Sequence, residues 1–121
     1  MNLFFRIDGE TPAKKNSRVT LPSGKTIPGR RFREWHEVAL LQLRSQAAGL
    51  AGLPVGGPCE VEIKFAHGDL RRRDSDNGVS SVLDALVDAG ILEDDNWRIV
   101  AKITAMNEYK KGEAFCEVRI I

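Results

Sequence analysis

The sequence predicts a single α+β domain over residues 1–121, with a mixed or antiparallel sheet of four strands and two helices in the order β-α-β-α-β-β. Four stretches alternate between apolar and polar residues, and two longer stretches have helical periodicity. A length of 121 residues is enough for one modest core. A hydrophobic fraction of 42% and a charged fraction of 29% are ordinary for a soluble globular protein.

The composition limits the possible cellular location of the protein and the possible roles of its cysteines and histidines. No apolar run approaches the roughly 18 residues that a membrane span needs, and the first six residues are charged too early for a signal peptide. Cys59 and Cys116 form no C-x-x-C pair and no metal-ligand set with His36 or His67, so we expect core thiols and structural histidines. We therefore expect a cytoplasmic protein with no membrane partner and no small-molecule organic cofactor.

The N-terminal part of the chain combines a strand with a basic loop. Residues 2–8 alternate and predict a strand, whereas residues 9–29 are rich in Gly and Pro and predict a long basic loop or a loose hairpin. Residues 1–50 hold nine Lys and Arg against four Asp and Glu, and residues 51–121 hold nine against thirteen. A basic half suggests a phosphate-binding surface, although two solvated faces of opposite charge produce the same counts.

The first helix is predicted over residues 30–48, which contain neither Gly nor Pro. Helical periodicity places five apolar residues on one face: Phe32, Trp35, Ala39, Leu43 and Ala47. Val38, Leu40 and Leu41 widen this apolar arc beyond one face. The wide arc indicates a second buried side, either against another subunit or within the chain's own core.

Three further stretches predict strands. Residues 59–67, 98–106 and 114–121 alternate, which is typical of strands with one face toward water. In residues 98–106, Ile99, Ala101, Ile103 and Ala105 would form the apolar side. The segment around residues 110–112 is predicted to join the last two strands as a hairpin.

A second, amphipathic helix is predicted over residues 78–89. Asp76 or Asn77 can cap its N-terminus, and Gly90 fits the position that follows its C-terminus. One broad side is apolar, which indicates packing against other elements. The predicted polar side holds four residues: Ser80, Ser81, Asp84 and Asp88.

Carboxylates flank both ends of this helix. Asp74 and Asp76 precede it, and Asp94 and Asp95 follow it. The two loops meet only if one folds back along a helix of about 18 Å. Two unit charges 4 Å apart interact by about 4 kcal/mol at an effective dielectric constant near 20, and a bound Mg²⁺ or Mn²⁺ would relieve such repulsion. A capping aspartate followed by a solvated acidic turn explains the same spacing, so the residues alone leave both interpretations open.

Three linked motifs in this region resemble the RusA family of Holliday-junction resolvases. They are R-D-x-D-N at residues 73–77, D-A-L at residues 84–86 and G-x-x-x-D-D at residues 90–95. The flanking strands, the upstream helix and the basic loop agree with this family in their order along nearly the whole chain.

The resemblance implies a small homodimeric endonuclease that binds four-way DNA junctions and makes paired symmetric nicks in recombination and repair, using Mg²⁺ or Mn²⁺. It implies that Asp74, Asp76 and Asp95 are both catalytic residues and metal ligands, with Arg73 as the basic residue that precedes them. The expected phosphate contacts come from the basic loop and the arginine run: Lys14, Lys15, Arg18, Lys25, Arg30, Arg31, Arg72 and Arg73. Supporting roles are expected for Asn77, Ser80, Asp84, Asp94 and Lys102.

One position departs from the family pattern. The family usually carries a lysine four residues after the second aspartate, where this chain has Ser80. Either Lys102, Arg73 or Lys15 supplies the missing charge, or turnover is reduced. The alternative function is therefore a non-catalytic junction or branched-DNA binding protein diverged from the family. A third hypothesis, a metal-binding domain with no nucleic acid partner, is disfavoured by the basic loop.

Overall fold

The structure, a computed structural model, describes residues 1–14 and 18–121. One four-stranded sheet and two helices make up most of this part of the chain. The elements follow in chain order: β1 (Leu3–Asp8), β2 (Arg18–Thr20), β3 (Thr26–Pro28), α1 (Arg30–Ala47), β4 (Cys59–His67), α2 (Val79–Asp88), β5 (Val100–Tyr109) and β6 (Phe115–Ile120). The α+β class is confirmed.

The four-stranded sheet is mixed, with the spatial order β1-β6-β4-β5. β6 pairs antiparallel with both β1 and β4, whereas β5 pairs parallel with β4. β2 and β3 form a separate two-stranded ribbon, so the loose-hairpin interpretation of the basic loop describes residues 18–28.

The predicted hairpin between the last two strands is wrong. β4 lies between β5 and β6, so the segment after β5 crosses the end of β4. The amide of Lys110 donates to the carbonyl of His67 at 2.9 Å, and the amide of Gly112 donates to that of Gly68 at 3.0 Å. A parallel pair needs a long crossover, and residues 68–99 with α2 provide it for β4 and β5.

The core lies on one face of the sheet, against α1 and α2. Its fully buried side chains include Phe5 and Ile7 of β1, Val61 and Ile63 of β4, and Val118 of β6. α1 buries the face that periodicity predicts through four residues: Phe32, Trp35, Ala39 and Leu43. Cys59 and Cys116 are free and buried, as predicted, and burial raises the pKa of the Cys116 thiol to about 12. No described helix has the length and apolar character needed to cross a membrane.

β5 lacks the half-buried face that its alternation predicts. Ala101, Ile103 and Ala105 are exposed, Ile103 by 44%. β5 is an edge strand whose partner within the sheet is β4, and the apolar cover over β1, β6 and β4 reaches only its first residue, Val100. The sequence of β5 therefore alternates as a half-buried strand would, but the chain leaves the apolar side of this strand exposed.

The apolar arc of α1 also exceeds what one chain covers. Val38 and Leu41 are 47% and 69% exposed, so they do not belong to the chain's own core. Of the two interpretations of this arc, burial within the same chain is wrong for these two residues. Burial against a second subunit stays a prediction.

Candidate active site and basic cleft

The N-cap residue of α2 is a glycine and not an acidic residue. The helix begins at Val79 with Gly78 as N-cap and without a side-chain cap, so the predicted capping by Asp76 or Asn77 is wrong. A Cβ at Gly78 would lie 2.8 Å from the Phe65 ring and 2.9 Å from Cγ2 of Thr11. This close packing explains the glycine. The end of the helix follows the prediction, since Gly90 has a φ of +77° just after the C-cap.

The loop that carries Asp74 and Asp76 is anchored to the sheet. Oδ1 of Asn107 on β5 lies 2.8 Å from Nε2 of His67, and Nδ2 of Asn107 donates to the carbonyl of Ser75 at 2.9 Å. Because Ser75 lies between the two aspartates, this contact fixes their backbone while both carboxylates stay exposed. Both ring nitrogens of His67 have polar partners, Glu10 and Asn107, as expected of a structural histidine.

Arg73 anchors the same loop from its other end. Its Nε lies 2.6 Å from Oε1 of Glu10, an oxygen that also lies 2.7 Å from Nδ1 of His67. Its terminal nitrogens donate to Oδ1 of Asp69 at 2.9 Å and to the carbonyl of Arg71 at 2.9 Å. Hydrogen bonds from the amide of Arg71 and from Arg73 lower the pKa of Asp69 to about 2. A phosphate contact by Arg73 stays a prediction, and a phosphate would compete with these partners.

A tight turn holds Asp95. Oδ1 of Asp94 accepts the amide of Asp95 at 2.7 Å and Oδ2 accepts Nδ2 of Asn96 at 3.1 Å, which lowers the pKa of Asp94. Although Asp95 is exposed, partial shielding from water raises the pKa of its carboxyl, and the neighbouring carboxylates of Asp94 and Asp84 raise it further. The carboxylate of Asp84, within α2, therefore contributes to the electrostatic environment of Asp95.

The described residues do not gather the three aspartates into one metal site. No group of three or more His, Cys, Asp or Glu side chains in this part of the chain is placed to hold an ion. Asp84 lies six residues beyond Gly78, a rise of about 9 Å along the helix. Along the chain, Asp74 and Asp76 precede the N-terminus of α2, whereas Asp95 lies in the turn after its C-terminus. The donor chemistry nevertheless fits, because Mg²⁺ and Mn²⁺ prefer carboxylate oxygens and a cation would relieve the repulsion around Asp95.

The polar side of α2 differs from the prediction at one residue. Ser81 is fully buried, because the segment before β2 covers it. Its Oγ donates to the carbonyl of Pro12 at 2.6 Å and accepts the amide of Lys14 at 3.2 Å. Nζ of Lys14 lies 2.6 Å from Oδ2 of Asp84. Ser80 is exposed, as predicted.

Two of the three residues considered as substitutes for a cation at position 80 lie elsewhere. Lys102 is 69% exposed on β5, with its Nζ 3.5 Å from Oε1 of Glu60. Arg73 is held by Glu10 and Asp69. Lys15 lies outside the described residues, so its expected DNA contact and its substitute role stay predictions.

Four arginines line a cleft beside the carboxylate loop. The cleft has a volume of about 220 Å³ and includes Arg31, Arg71, Arg72, Arg73 and Asn77. α1 therefore contributes a guanidinium to the same cleft as the arginine run, as the basic-surface hypothesis requires. Arg71 lines the cleft but is not among the predicted phosphate contacts, although its place in the arginine run was a usable signal. Glu10 and Asn107 had no such signal, because their contacts join distant segments.

The other predicted DNA contacts lie outside the lining of this cleft. Arg18 and Lys25 are exposed at the β2–β3 ribbon. Nε of Arg30 lies 2.7 Å from Oε1 of Glu34 on the exposed start of α1. Lys14 lies against the polar side of α2, through its contact with Asp84. The predicted contacts therefore divide between the cleft and a wider basic surface.

Exposed paired carboxylates beside a cleft of guanidinium groups are features of one class of protein, the enzymes that hydrolyse a phosphodiester backbone. The comparisons with known proteins name the family. A family model described as "Endodeoxyribonuclease RusA" matches residues 8–121, and the chain belongs to this family. It is 27% identical over 110 residues to a protein of Aquifex aeolicus (strain VF5) named "Crossover junction endodeoxyribonuclease RusA", covering 90% of this chain and 83% of that protein. The chain is therefore an endodeoxyribonuclease.

Proposed function

We propose that this endodeoxyribonuclease resolves four-way DNA junctions by paired symmetric nicks in recombination and repair, acting in the cytoplasm with Mg²⁺ or Mn²⁺. The observation that carries the proposal is the position of the arginine cleft, which shares Arg73 and Asn77 with the loop of Asp74 and Asp76. The name of the Aquifex aeolicus relative supports a crossover junction as the substrate.

Different residues of the chain would serve different steps of the hydrolysis. Guanidinium groups of the cleft bind backbone phosphates and fix the position of the DNA without reading its sequence. Asp74, Asp76 and Asp95 would hold the metal ion, which supplies an activated water and neutralises charge on the leaving oxygen. One water is consumed, the bond between phosphorus and the 3′ oxygen breaks, and a 3′-hydroxyl and a 5′-phosphate remain. The Asn107 contact ties the loop of Asp74 and Asp76 to β5.

Two nicks of one junction are best explained by a homodimer, which we propose as the active form. A two-fold axis relates two sites in a way that can match the pseudo-symmetry of a four-way junction. The exposed apolar residues of α1, Val38 and Leu41, supply surface for the interface. The structure offers a second surface on β5, where Ile103 and Tyr109 are 44% and 48% exposed.

One observation favours the alternative function, a junction-binding protein without cleavage. Position 80 holds serine where the family usually carries a lysine, so the first turn of α2 lacks this cation. A protein of this kind would use the arginine cleft in the same way and would gain nothing from a metal ion. Binding and cleavage must therefore be measured separately.

The first test is cleavage of a synthetic four-way junction. With Mg²⁺ we expect incision of the junction and little incision of a linear duplex of the same sequence, and with a chelator we expect binding without incision. Tight binding with no incision in either Mg²⁺ or Mn²⁺ would establish the alternative function. Equal incision of junction and duplex would contradict structure selectivity.

A further inference from the structure

A second cavity, which we call the edge pocket, adjoins the loop of Asp74 and Asp76 at the end of β5. Ser75, the residue between the two aspartates, belongs to its wall, and Arg73 belongs to the walls of both this pocket and the arginine cleft. Asn77, at the other end of the loop, lines the cleft. The loop of the two aspartates therefore contributes lining residues to both cavities. The wall of the edge pocket includes His67, Leu70, Arg73, Ser75, Asn107 and Tyr109.

Contacts between β4, β5 and the loop hold the wall of the edge pocket in place. Tyr109 is paired with His67 at the end of the parallel ladder of β4 and β5. The amide of Lys110 donates to the carbonyl of His67 at 2.9 Å. Nδ2 of Asn107 donates to the carbonyl of Ser75 at 2.9 Å. A direct hydrogen bond therefore joins the strand that carries Tyr109 to the residue between the two aspartates.

The edge pocket offers apolar and aromatic surface to solvent. Tyr109 is 48% exposed, and Leu70, in the loop after β4, is 79% exposed. Within residues 1–14 and 18–121, the phenol ring of Tyr109 has no hydrogen bond, ion pair or ring contact. The main chain of Tyr109 is thus fixed by the sheet, whereas its ring is available to a ligand. The pocket has a volume of about 290 Å³, which leaves room for one nucleobase.

The two carboxylates in the wall of the edge pocket have basic partners. Oδ1 of Asp69 lies 2.9 Å from a terminal nitrogen of Arg73, and its Oδ2 lies 3.3 Å from one of Arg71. Oε1 of Glu108 lies 3.3 Å from Nζ of Lys64. Because these charges are paired, the pocket suits a neutral and flat part of a nucleotide, and the arginine cleft beside it suits the phosphate.

We propose that the edge pocket binds one unstacked nucleobase of the DNA, stacked on the ring of Tyr109, and that this contact favours a four-way junction over a duplex. The inference rests on the proposed function and adds a residue that determines its structure selectivity. An aromatic ring stacks on the π-face of any base. In a continuous duplex every base lies between two neighbours. A base at the branch point of an open junction has lost a stacking neighbour, so it leaves the stack at a lower cost.

The first test compares metal-free binding of a four-way junction and a duplex at fixed salt concentration. Tyr109→Ala is expected to raise the dissociation constant of the junction by about tenfold, because the stacked base loses its partner. The dissociation constant of the duplex should change by less than about twofold, since phosphate contacts are unchanged. Tyr109→Phe keeps the ring and should bind as the wild type does. Met106→Ala is the matched control, because Met106 is 52% exposed on the same strand and lies outside the wall of the pocket.

The second test removes the base from the DNA. Abasic sugars are placed one at a time at the nucleotides next to the branch point. At one of these positions the wild type should bind about tenfold more weakly, and Tyr109→Ala should show no further loss. With 5-iodouracil at the same position, irradiation should link the DNA to the peptide that contains Tyr109, which mass spectrometry identifies.

Two controls exclude other roles of Tyr109. Sedimentation of Tyr109→Ala should give the same oligomeric state as the wild type, because the ring contacts DNA. A change of oligomeric state would overturn the inference and assign Tyr109 to a subunit interface on β5. Should Tyr109→Ala fail to fold, Tyr109→Leu fills much of the same space without a π-face and should show the same loss of junction binding.

The outcomes separate this inference from the proposed function. If Tyr109→Ala bound the junction as tightly as the wild type, or if its loss added to that of the abasic sugar, the role of Tyr109 would be overturned while the nuclease function stands. Junction binding without cleavage by the wild type would overturn the proposed cleavage, and loss of that binding in Tyr109→Ala would still support the pocket. Equal binding of junction and duplex by the wild type would overturn both the proposed substrate and this inference.

Discussion

Single replacements of Asp74, Asp76 or Asp95 by Asn should each reduce junction cleavage by at least about a hundredfold, because each removes a negatively charged ligand from the metal ion. All three residues are exposed, so the folded state should tolerate the neutral amide. Junction binding without metal should persist, since the arginine cleft is unchanged. The measurement is the single-turnover rate together with the dissociation constant, both at fixed salt concentration.

Glu93→Gln is the matched control for these variants. Glu93 is an exposed carboxylate in the same turn as Asp95, and its removal changes the local charge by the same amount. Its cleavage rate should stay near that of the wild type. Wild-type cleavage by any of the three aspartate variants would show that the residue is not a required metal ligand.

Gly78→Ala should lower the free energy of unfolding by about 1–3 kcal/mol, because the added methyl group overlaps the Phe65 ring and the methyl group of Thr11. The backbone at Gly78 has a φ of −99°, which alanine adopts without strain, so the loss would come from packing alone. Chemical denaturation of the metal-free protein measures it. Ser80→Ala, at an exposed position on the same helix, should change stability by less than about 0.5 kcal/mol.

A second substitution tests the cause of this effect. Thr11→Ser removes the methyl group that would lie 2.9 Å from a Cβ at Gly78, and it should recover part of the stability lost in Gly78→Ala. If Gly78→Ala were as stable as the wild type, packing against Phe65 and Thr11 would not be the reason for a glycine at position 78.

The local features of the site could be predicted from the sequence, whereas its long-range contacts could not. The spacing of the aspartates around α2 and the glycine at its C-terminus depend on neighbouring residues, and the C-terminal prediction is confirmed at Gly90. The N-cap was wrong because the geometry at Gly78 depends on Phe65 and Thr11, which are distant in sequence. Ser81 was misplaced for the same reason, since the segment that buries it comes from Pro12 and Lys14.

The fold shows the same division between local and distant information. Periodicity identified both helices and the strands of the four-stranded sheet, because each pattern reports one face of one element. Alternation does not distinguish an edge strand from a central one, so the exposure of β5 was not predicted. The turn residues after β5 indicated that the chain reverses direction there. They did not show that β6 pairs with β4 instead of β5, because that arrangement depends on the crossover through α2.

The most direct test of the central claim uses a supercoiled plasmid that extrudes a cruciform, the intramolecular form of a four-way junction. Coordinated cutting by two related sites predicts linear plasmid as the main product in Mg²⁺, with a relaxed plasmid of the same sequence left intact. Asp76→Asn should leave the cruciform plasmid supercoiled. Nicked circles as the main product would contradict paired incision, and equal cutting of the cruciform and relaxed plasmids would contradict recognition of the junction.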